Sequence, residues 1–185
     1  MHPQLQEVAD EFAAAQARLH RLADSLPADW WPKRPDPARW SVAECVAHLN
    51  LASRAYLPLL QRGLEQAAAL DGPPPRRFRR DLIGWLLWRM AGPPVRHRVR
   101  TTAPFVPTGD TRPAELVAAF DELQAQQLAC VARADGLPLS RVKITSPFDQ
   151  RIRYNLYSCL TILPRHQHRH LWQAERVLER LRGAR

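Results

Sequence analysis

The stretch Trp40-Ser41-Val42-Ala43-Glu44-Cys45-Val46-Ala47-His48-Leu49 contains the clearest helix start in the sequence. Ser41 and Glu44 have the spacing of a capping box, in which each side chain bonds the backbone amide of the other residue. Trp40 and Cys45 stand where a hydrophobic staple forms. The helix is predicted to run to about Ala69, with Pro58 as a potential kink. One of its faces is an apolar stripe that includes a histidine: Cys45, His48, Ala52, Tyr56 and Leu59.

The rest of the chain shows the same helical periodicity, interrupted by prolines. Four further helices are predicted, at about Pro3–Leu26, Asp81–Met90, Thr111–Gly136 and Tyr154–Leu181, the last with a possible kink at Pro164. The stretch from Val95 to Gly109 is expected to be irregular, and Leu139–Asp149 to be a connection. The prediction is an all-α four-helix bundle, with a short extra helix in the crossover between its second and third long helices.

Length, charge and cysteine content narrow the class of protein. The 185 residues are enough for one domain, predicted to span 1–185. The formal net charge of +9 is interpreted as a composition bias, because the arginines are scattered and no aromatic RNA-binding motif accompanies them. Three distant cysteines and no secretory signal favour a cytoplasmic protein without disulfides.

An arginine-rich, then apolar insert at residues 76–90 interrupts the crossover. Its most apolar part, Leu82 to Ala91, is too short to span a bilayer, so no transmembrane segment is predicted. The favoured interpretation is a helix packed over one end of the bundle. The alternative is a helix lying on a membrane surface.

The run His166-Gln167-His168-Arg169-His170 is the main chemical signal. His166 and His170 are four residues apart and share one helix face, whereas His168 is two residues from each and should point away. That face is otherwise apolar and should face the interior: Leu163, His166, His170, Val177 and Leu181. Two buried imidazoles need partners for their ring nitrogens, and a metal ion would supply one.

His48 completes a predicted three-imidazole metal site between facing helices. Imidazole suits Zn, Ni, Fe or Cu better than Mg or Ca, so Zn or Ni is expected, with Fe or Mn as alternatives. Three protein ligands leave a coordination position open, as in catalytic sites. Weaker site candidates are Glu44 as a base, Cys45 and Cys159 as ligands, Gln173 as a residue that orients water, and Tyr56 and Arg169 as pocket residues.

Both quoted runs, the second extended through Leu171-Trp172-Gln173-Ala174-Glu175, resemble signatures of the DinB/YfiT-like superfamily. The resemblance implies an up-up-down-down bundle with one divalent ion held by the three matching histidines. It implies thiol S-transferase, thiol-dependent isomerase or hydrolase chemistry on a small molecule, such as a low-molecular-weight thiol. The insert from Asp71 to Pro107 is longer than a minimal member needs.

Two other function classes stay open. One is a non-catalytic binding or stress-response bundle that keeps its histidines as a buried polar cluster. The other, ranked last, is nucleic-acid binding through surface arginines, which would make affinity steeply salt-dependent. Exposed helix faces also allow a homodimer.

Overall fold

Five α-helices and one two-stranded sheet make up the computed structural model, which describes residues 1–94, 101–108 and 111–183. The chain is therefore mostly helical in those ranges. The helices are α1 (Pro3–Asp24), α2 (Val42–Ala68), α3 (Leu82–Ala91), α4 (Pro113–Arg133) and α5 (Leu156–Gly183). The strands are β1 (Lys143–Thr145) and β2 (Arg153–Asn155), and short 3-10 helices cover Ala28–Trp30, Ala103–Phe105 and Leu139–Arg141.

The predicted start of α2 is confirmed. The Glu44 amide donates to Ser41 Oγ at 3.2 Å, and the Ser41 amide donates to Glu44 Oε2 at 2.8 Å. These bonds satisfy two backbone amides at the helix start, which fixes where the helix begins. The helix then continues through Pro58, and α5 continues through Pro164. The extra helix in the crossover is also confirmed as α3.

The all-α prediction is wrong in one place. The predicted connection Leu139–Asp149 contains β1, and Tyr154, predicted as the start of the last helix, lies in β2. The strands pair antiparallel, with Ile144 opposite Tyr154, and both of these side chains are buried. Three-residue strands are too short to show a clear alternating pattern, so the sequence carries no usable signal for them. Residues 95–100 and 109, within the stretch expected to be irregular, lie outside the described residues.

Two buried apolar clusters show how the long helices run. One contains the start of α1, the end of α2, the end of α4 and the start of α5. The other contains the end of α1, the start of α2, the start of α4 and the last half of α5. The order of directions is therefore up, down, down, up, and α2 packs against both α4 and α5.

The up-up-down-down order implied by the family resemblance is therefore wrong for this chain. Trp30 and Trp31, in the loop after α1, are buried in the same cluster as Val42 and Val46 at the start of α2. This packing turns the chain back, so that α2 runs opposite to α1. The parallel pair of α2 and α4 then requires a long crossover, which carries α3 onto α5.

Candidate metal centre

Three histidines meet where α2 packs against α5. His48 lies two turns into α2, and His166 and His170 lie one turn apart in α5. One ring nitrogen from each side chain can be chosen so that all three lie within 4.8 Å of one another. The predicted meeting of these side chains is confirmed, and their role as metal ligands stays a prediction.

The spacing of the rings suits a shared ion. The Nε2 atoms of His48 and His166 are 3.3 Å apart. The His170 ring centroid lies 4.4 Å from that of His48 and 4.5 Å from that of His166. Two nitrogens bound to one tetrahedral Zn at about 2.0–2.1 Å are about 3.3 Å apart, so the first pair already has the separation of ligands.

Burial keeps all three imidazoles neutral, which is the form that binds metals. Only 1% of His48 and 7% of His170 is exposed. Desolvation lowers the pKa of His48. Desolvation, together with the charge of the nearby His48, lowers the pKa of His166 to about 3. Burial, then the two other histidines, lowers the pKa of His170 well below its usual value. Each ring can therefore offer a lone pair at neutral pH.

The carbonyl of Phe105 fixes the orientation of the His48 ring. His48 Nδ1 lies 2.8 Å from this oxygen, in the 3-10 helix of the crossover. A carbonyl can only accept, so Nδ1 carries the proton and donates. Nε2 is then the unprotonated nitrogen that faces His166. Metal-binding histidines commonly have such a carbonyl or carboxylate partner on the second nitrogen.

One nitrogen of the cluster is buried and unsatisfied. Among the described residues, His170 Nδ1 finds no hydrogen-bond partner. A side-chain hydrogen bond between Gln173, one turn further along α5, and His170 opposes the fall in the pKa of His170. A buried ring nitrogen without a hydrogen-bond partner costs free energy unless a ligand supplies that partner.

Aromatic side chains surround the three rings. The Trp40 ring centroid lies 5.0 Å from that of His48 and 6.0 Å from that of His170. The ring centroid of Phe148, in the turn of the hairpin, lies 5.9 Å from that of His166 and 4.1 Å from that of Phe105. These rings limit access of water to the imidazoles, and low polarity around a metal strengthens its electrostatic effect on bound groups.

The other histidine of the run has a different environment, as predicted. His168 Nε2 lies 3.2 Å from the Glu11 carbonyl, and its Nδ1 lies 3.4 Å from Arg18 Nη1. Both partners belong to α1, on the side of α5 that faces away from His48. His168 is therefore not part of the cluster.

The candidate base Glu44 is engaged elsewhere. Burial alone would raise the pKa of its carboxyl, but bonds from Arg34 and the Ser41 amide, with the charge of Arg34, hold this pKa below its usual value. Arg34 Nε donates to Glu44 Oε2 at 2.9 Å. The capping role and this ion pair account for the carboxylate.

The cysteines are apolar core residues in this structure. Cys45 belongs to one buried cluster, and Cys159 and Cys130 belong to the other. Burial raises the pKa of Cys45 to about 12, and it raises the pKa of Cys159 and of Cys130. Their thiols stay protonated at neutral pH, and thiolate is the form that binds metals.

Tyr56 and Arg169 border the site without joining it. The Tyr56 hydroxyl pairs with that of Tyr154 at 2.7 Å, and its ring lies 6.0 Å from Phe148. Arg169 Nη1 donates to the Met90 carbonyl at 3.0 Å, which ties α5 to the end of α3.

The site contains two residues that the sequence did not point to, Phe105 and Phe148. Both lie in connections between long helices, where side-chain periodicity does not apply. An isolated Phe in a polar loop only weakly predicts a buried position. No sequence pattern predicts that a backbone carbonyl will accept a hydrogen bond from a histidine.

The chain matches the model of a protein family. No curated protein and no solved structure matches the chain. The family model of the DinB superfamily matches residues 11–174, which include α2, α4, all three clustered histidines and the crossover between them. The match covers most of the sequence, and the chain belongs to the DinB superfamily.

Proposed function

We propose that this chain is a metal-dependent DinB protein that holds one divalent transition ion through His48, His166 and His170 and acts on a small molecule. The observation that carries the proposal is the meeting of three neutral imidazoles at one point, with His48 oriented by the Phe105 carbonyl. Zn or Ni fits three imidazoles best, with Fe or Mn as alternatives, since Mg and Ca prefer oxygen ligands.

Such an ion supplies Lewis acidity and lowers the pKa of a water or thiol that it binds. The chain's own residues set the conditions for this chemistry. His48 is held in one tautomer by Phe105, and Trp40 and Phe148 cover the imidazoles. Two reactions match these conditions: hydrolysis by an activated water, or transfer of an activated low-molecular-weight thiol.

A thiol reaction at this site would need a thiol from outside the protein. All three cysteines are buried, and the pKa of each is raised by burial. None of them is poised to attack a substrate. The expected co-substrate is therefore a small thiol that enters the site.

The proposal extends to the architecture around the site. The long helices α1, α2, α4 and α5 would form one DinB-type four-helix bundle domain over residues 1–185, working in the cytoplasm, with a homodimer through exposed helix faces as an option.

The alternative function is a non-catalytic bundle with a buried histidine cluster. The bond geometry between His48 and His166 favours it in part, since two neutral imidazoles at 3.3 Å can share a proton. The unsatisfied His170 Nδ1 is the observation against it.

Metal analysis of protein purified without a histidine tag tests the proposal. We expect close to one transition ion per chain, lost on chelation and regained on addition of Zn or Ni. His166→Ala should remove the ion and keep the helical circular dichroism spectrum. Protein that is folded and metal-free, and that takes up neither ion after chelation, would contradict the proposal and favour the non-catalytic bundle.

A further inference from the structure

Helix α3 is fixed on the surface of α5 by contacts along one side. The Asp81 carboxylate accepts from the Gly84 amide at 2.9 Å and from the Asn155 amide at 2.9 Å, and it pairs with Lys143. Gly84 lies so close to α5 that a Cβ there would be 2.1 Å from Ser158 Oγ. The absent side chain thus permits the close approach, and one side of α3 is held against the fold.

Trp88 strengthens the same attachment. The Arg80 and Arg165 guanidiniums lie 4.2 Å and 4.0 Å from its ring centroid. Arg165 Nε also donates to the Trp88 carbonyl at 3.1 Å. The orientation of α3 about its own axis is therefore set by specific contacts.

The opposite side of α3 exposes a mainly apolar surface. Leu82 is 80% exposed, Leu86 50% and Trp85 44%, and two further large apolar side chains are exposed beside them, Ile83 and Met90. At 100° per residue these five positions span about 160° of the helix circumference, and the exposed Arg89 lies within the same arc. A helix on a soluble protein normally turns its polar side outward, so this surface is the reverse of the usual pattern.

Exposed arginines precede α3 in the chain and also lie on its outward face. Arg76, Arg77 and Arg79 are exposed in the segment that leads into α3, and Arg89 is exposed on the helix itself, 5.8 Å from the Trp85 ring. Asp81 is the one acidic residue between positions 76 and 94, and it is paired with Lys143. An exposed apolar helix face with Trp, Leu and flanking arginines is typical of helices that lie in the interface of an anionic bilayer.

We propose that the outward face of α3 docks this protein onto an anionic lipid membrane. In the described part of the chain no helix is both long and apolar enough to cross a bilayer, so the contact is one of lying on the surface. Leu82, Trp85 and Leu86 enter the headgroup region, and the neighbouring arginines contact lipid phosphates.

Charge argues against a second copy of the chain as the occupant. In a two-fold dimer the patch of one copy faces the same patch of the other, which would place arginines of one copy against an equally basic surface. Like charges across an interface oppose association, whereas an anionic lipid surface attracts them. The membrane is therefore the occupant that both the apolar and the basic parts of the surface favour.

Co-sedimentation of the full chain with vesicles tests the proposal. We expect binding to vesicles of phosphatidylcholine and phosphatidylserine in equal parts, little binding to pure phosphatidylcholine, and release by added salt. Leu86→Glu should lower binding about tenfold or more, because it puts a charge in the centre of the inserted face. Gln126→Glu, on an exposed face of α4, makes the same charge change elsewhere and should leave binding unchanged.

A second pair of variants tests the exposed arginines. The double substitution Arg76→Gln and Arg77→Gln should weaken binding about 25-fold, since each basic residue near an anionic surface contributes about fivefold. The double substitution Arg180→Gln and Arg182→Gln, at the end of α5, removes two positive charges elsewhere and should leave binding nearly unchanged.

Three results would overturn the proposal: no binding of folded wild-type protein to the anionic vesicles, equal binding of Leu86→Glu and Gln126→Glu, or a dimer in sedimentation that Leu86→Glu abolishes while vesicles are ignored.

Discussion

Replacing His170 by alanine should abolish stabilisation by metal, and replacing His168 should not. The two side chains come from the same helix and are two residues apart. His170 lies in the cluster with His48 and His166, while His168 faces α1 and contacts Glu11 and Arg18. The two alanine variants therefore remove the same imidazole group from two different sides of α5.

The expected size of the effect follows from linkage. An ion present at 100 times its dissociation constant stabilises the folded state by about 2.7 kcal/mol. For a chain of this length each kcal/mol moves Tm by about 2–4 °C. Wild-type protein should therefore gain about 5–10 °C when Zn or Ni is added after chelation, and His168→Ala should gain the same amount.

His170→Ala should be close to indifferent to the ion. Without metal, its stability should change little, because two effects oppose each other. The cavity costs about 2–4 kcal/mol, while removal of a buried nitrogen that has no partner returns about 1–3 kcal/mol. The net loss should be about 1 kcal/mol, so the variant remains folded and its response to metal can be measured.

Thermal unfolding of the three chelated proteins, with and without added ion, is the assay. Its decisive quantity is the difference between the metal-induced shifts of His168→Ala and His170→Ala. Equal shifts in the two variants would refute the assignment of His170 as a ligand, and a wild type that does not respond to either ion would refute the site.

Four further predictions concern the scaffold around the site. Ser41→Ala should cost about 1 kcal/mol in urea denaturation, because it removes the cap of α2. The pKa of Glu44 is lower in the fold than its usual 4.5, so its negative charge stabilises the protein above pH 4.5. The difference in Tm between wild type and Glu44→Gln should therefore shrink as the pH falls below 4.5 through the pKa of the folded state. A difference in Tm that does not change with pH would contradict this. Gly84→Ala should destabilise by about 1–3 kcal/mol in the same urea assay, although alanine favours helices, because its Cβ would collide with Ser158. Tyr154→Phe should cost about 1 kcal/mol, measured by calorimetry, since it removes one hydrogen bond of the buried Tyr56 hydroxyl, which keeps its bond to Ser146.

The sequence alone was enough to predict the long helices and the meeting of the three histidines. Ser41 and Glu44 satisfy backbone amides within four residues of each other, so the start of α2 depends on nothing distant. His166 and His170 share a face by helix geometry alone. These features could be predicted because their causes are local or periodic.

The rest depends on contacts between distant parts of the chain. The hairpin is held by pairing of Ile144 with Tyr154 across a turn, and each strand is too short to show a pattern. The helix directions depend on how Trp30 and Trp31 pack back onto the start of α2. The bond from His48 to the Phe105 carbonyl joins positions 57 residues apart. Local propensity carries no information about such pairings, which only the packed core decides.

The histidines lie between the two apolar clusters, and this position indicates that they serve a function other than stability. The core is not continuous: a layer of buried polar side chains crosses α2, α4 and α5 between the two clusters. It contains the histidines and their polar neighbours Asn50, Ser53, Gln124, Gln127 and Gln167. Gln167 donates to Gln124 at 2.8 Å and to Gln127 at 3.0 Å, and Gln127 donates to Ser53 at 3.2 Å.

A core selected for stability alone would place leucine or valine in this layer, because polar groups gain little from burial even when they are bonded. The glutamines bond one another and Ser53, whereas two buried atoms of the layer, Asn50 Oδ1 and His170 Nδ1, have no hydrogen-bond partner among the described residues. The two parts of the layer therefore differ: the glutamines form a hydrogen-bonded network that joins α4 to α5, and the histidine cluster leaves one ring nitrogen without a hydrogen-bond partner. Violations of consistent core packing concentrate at functional sites. Substituting Gln167 by leucine should thus preserve metal binding, and substituting His170 should not.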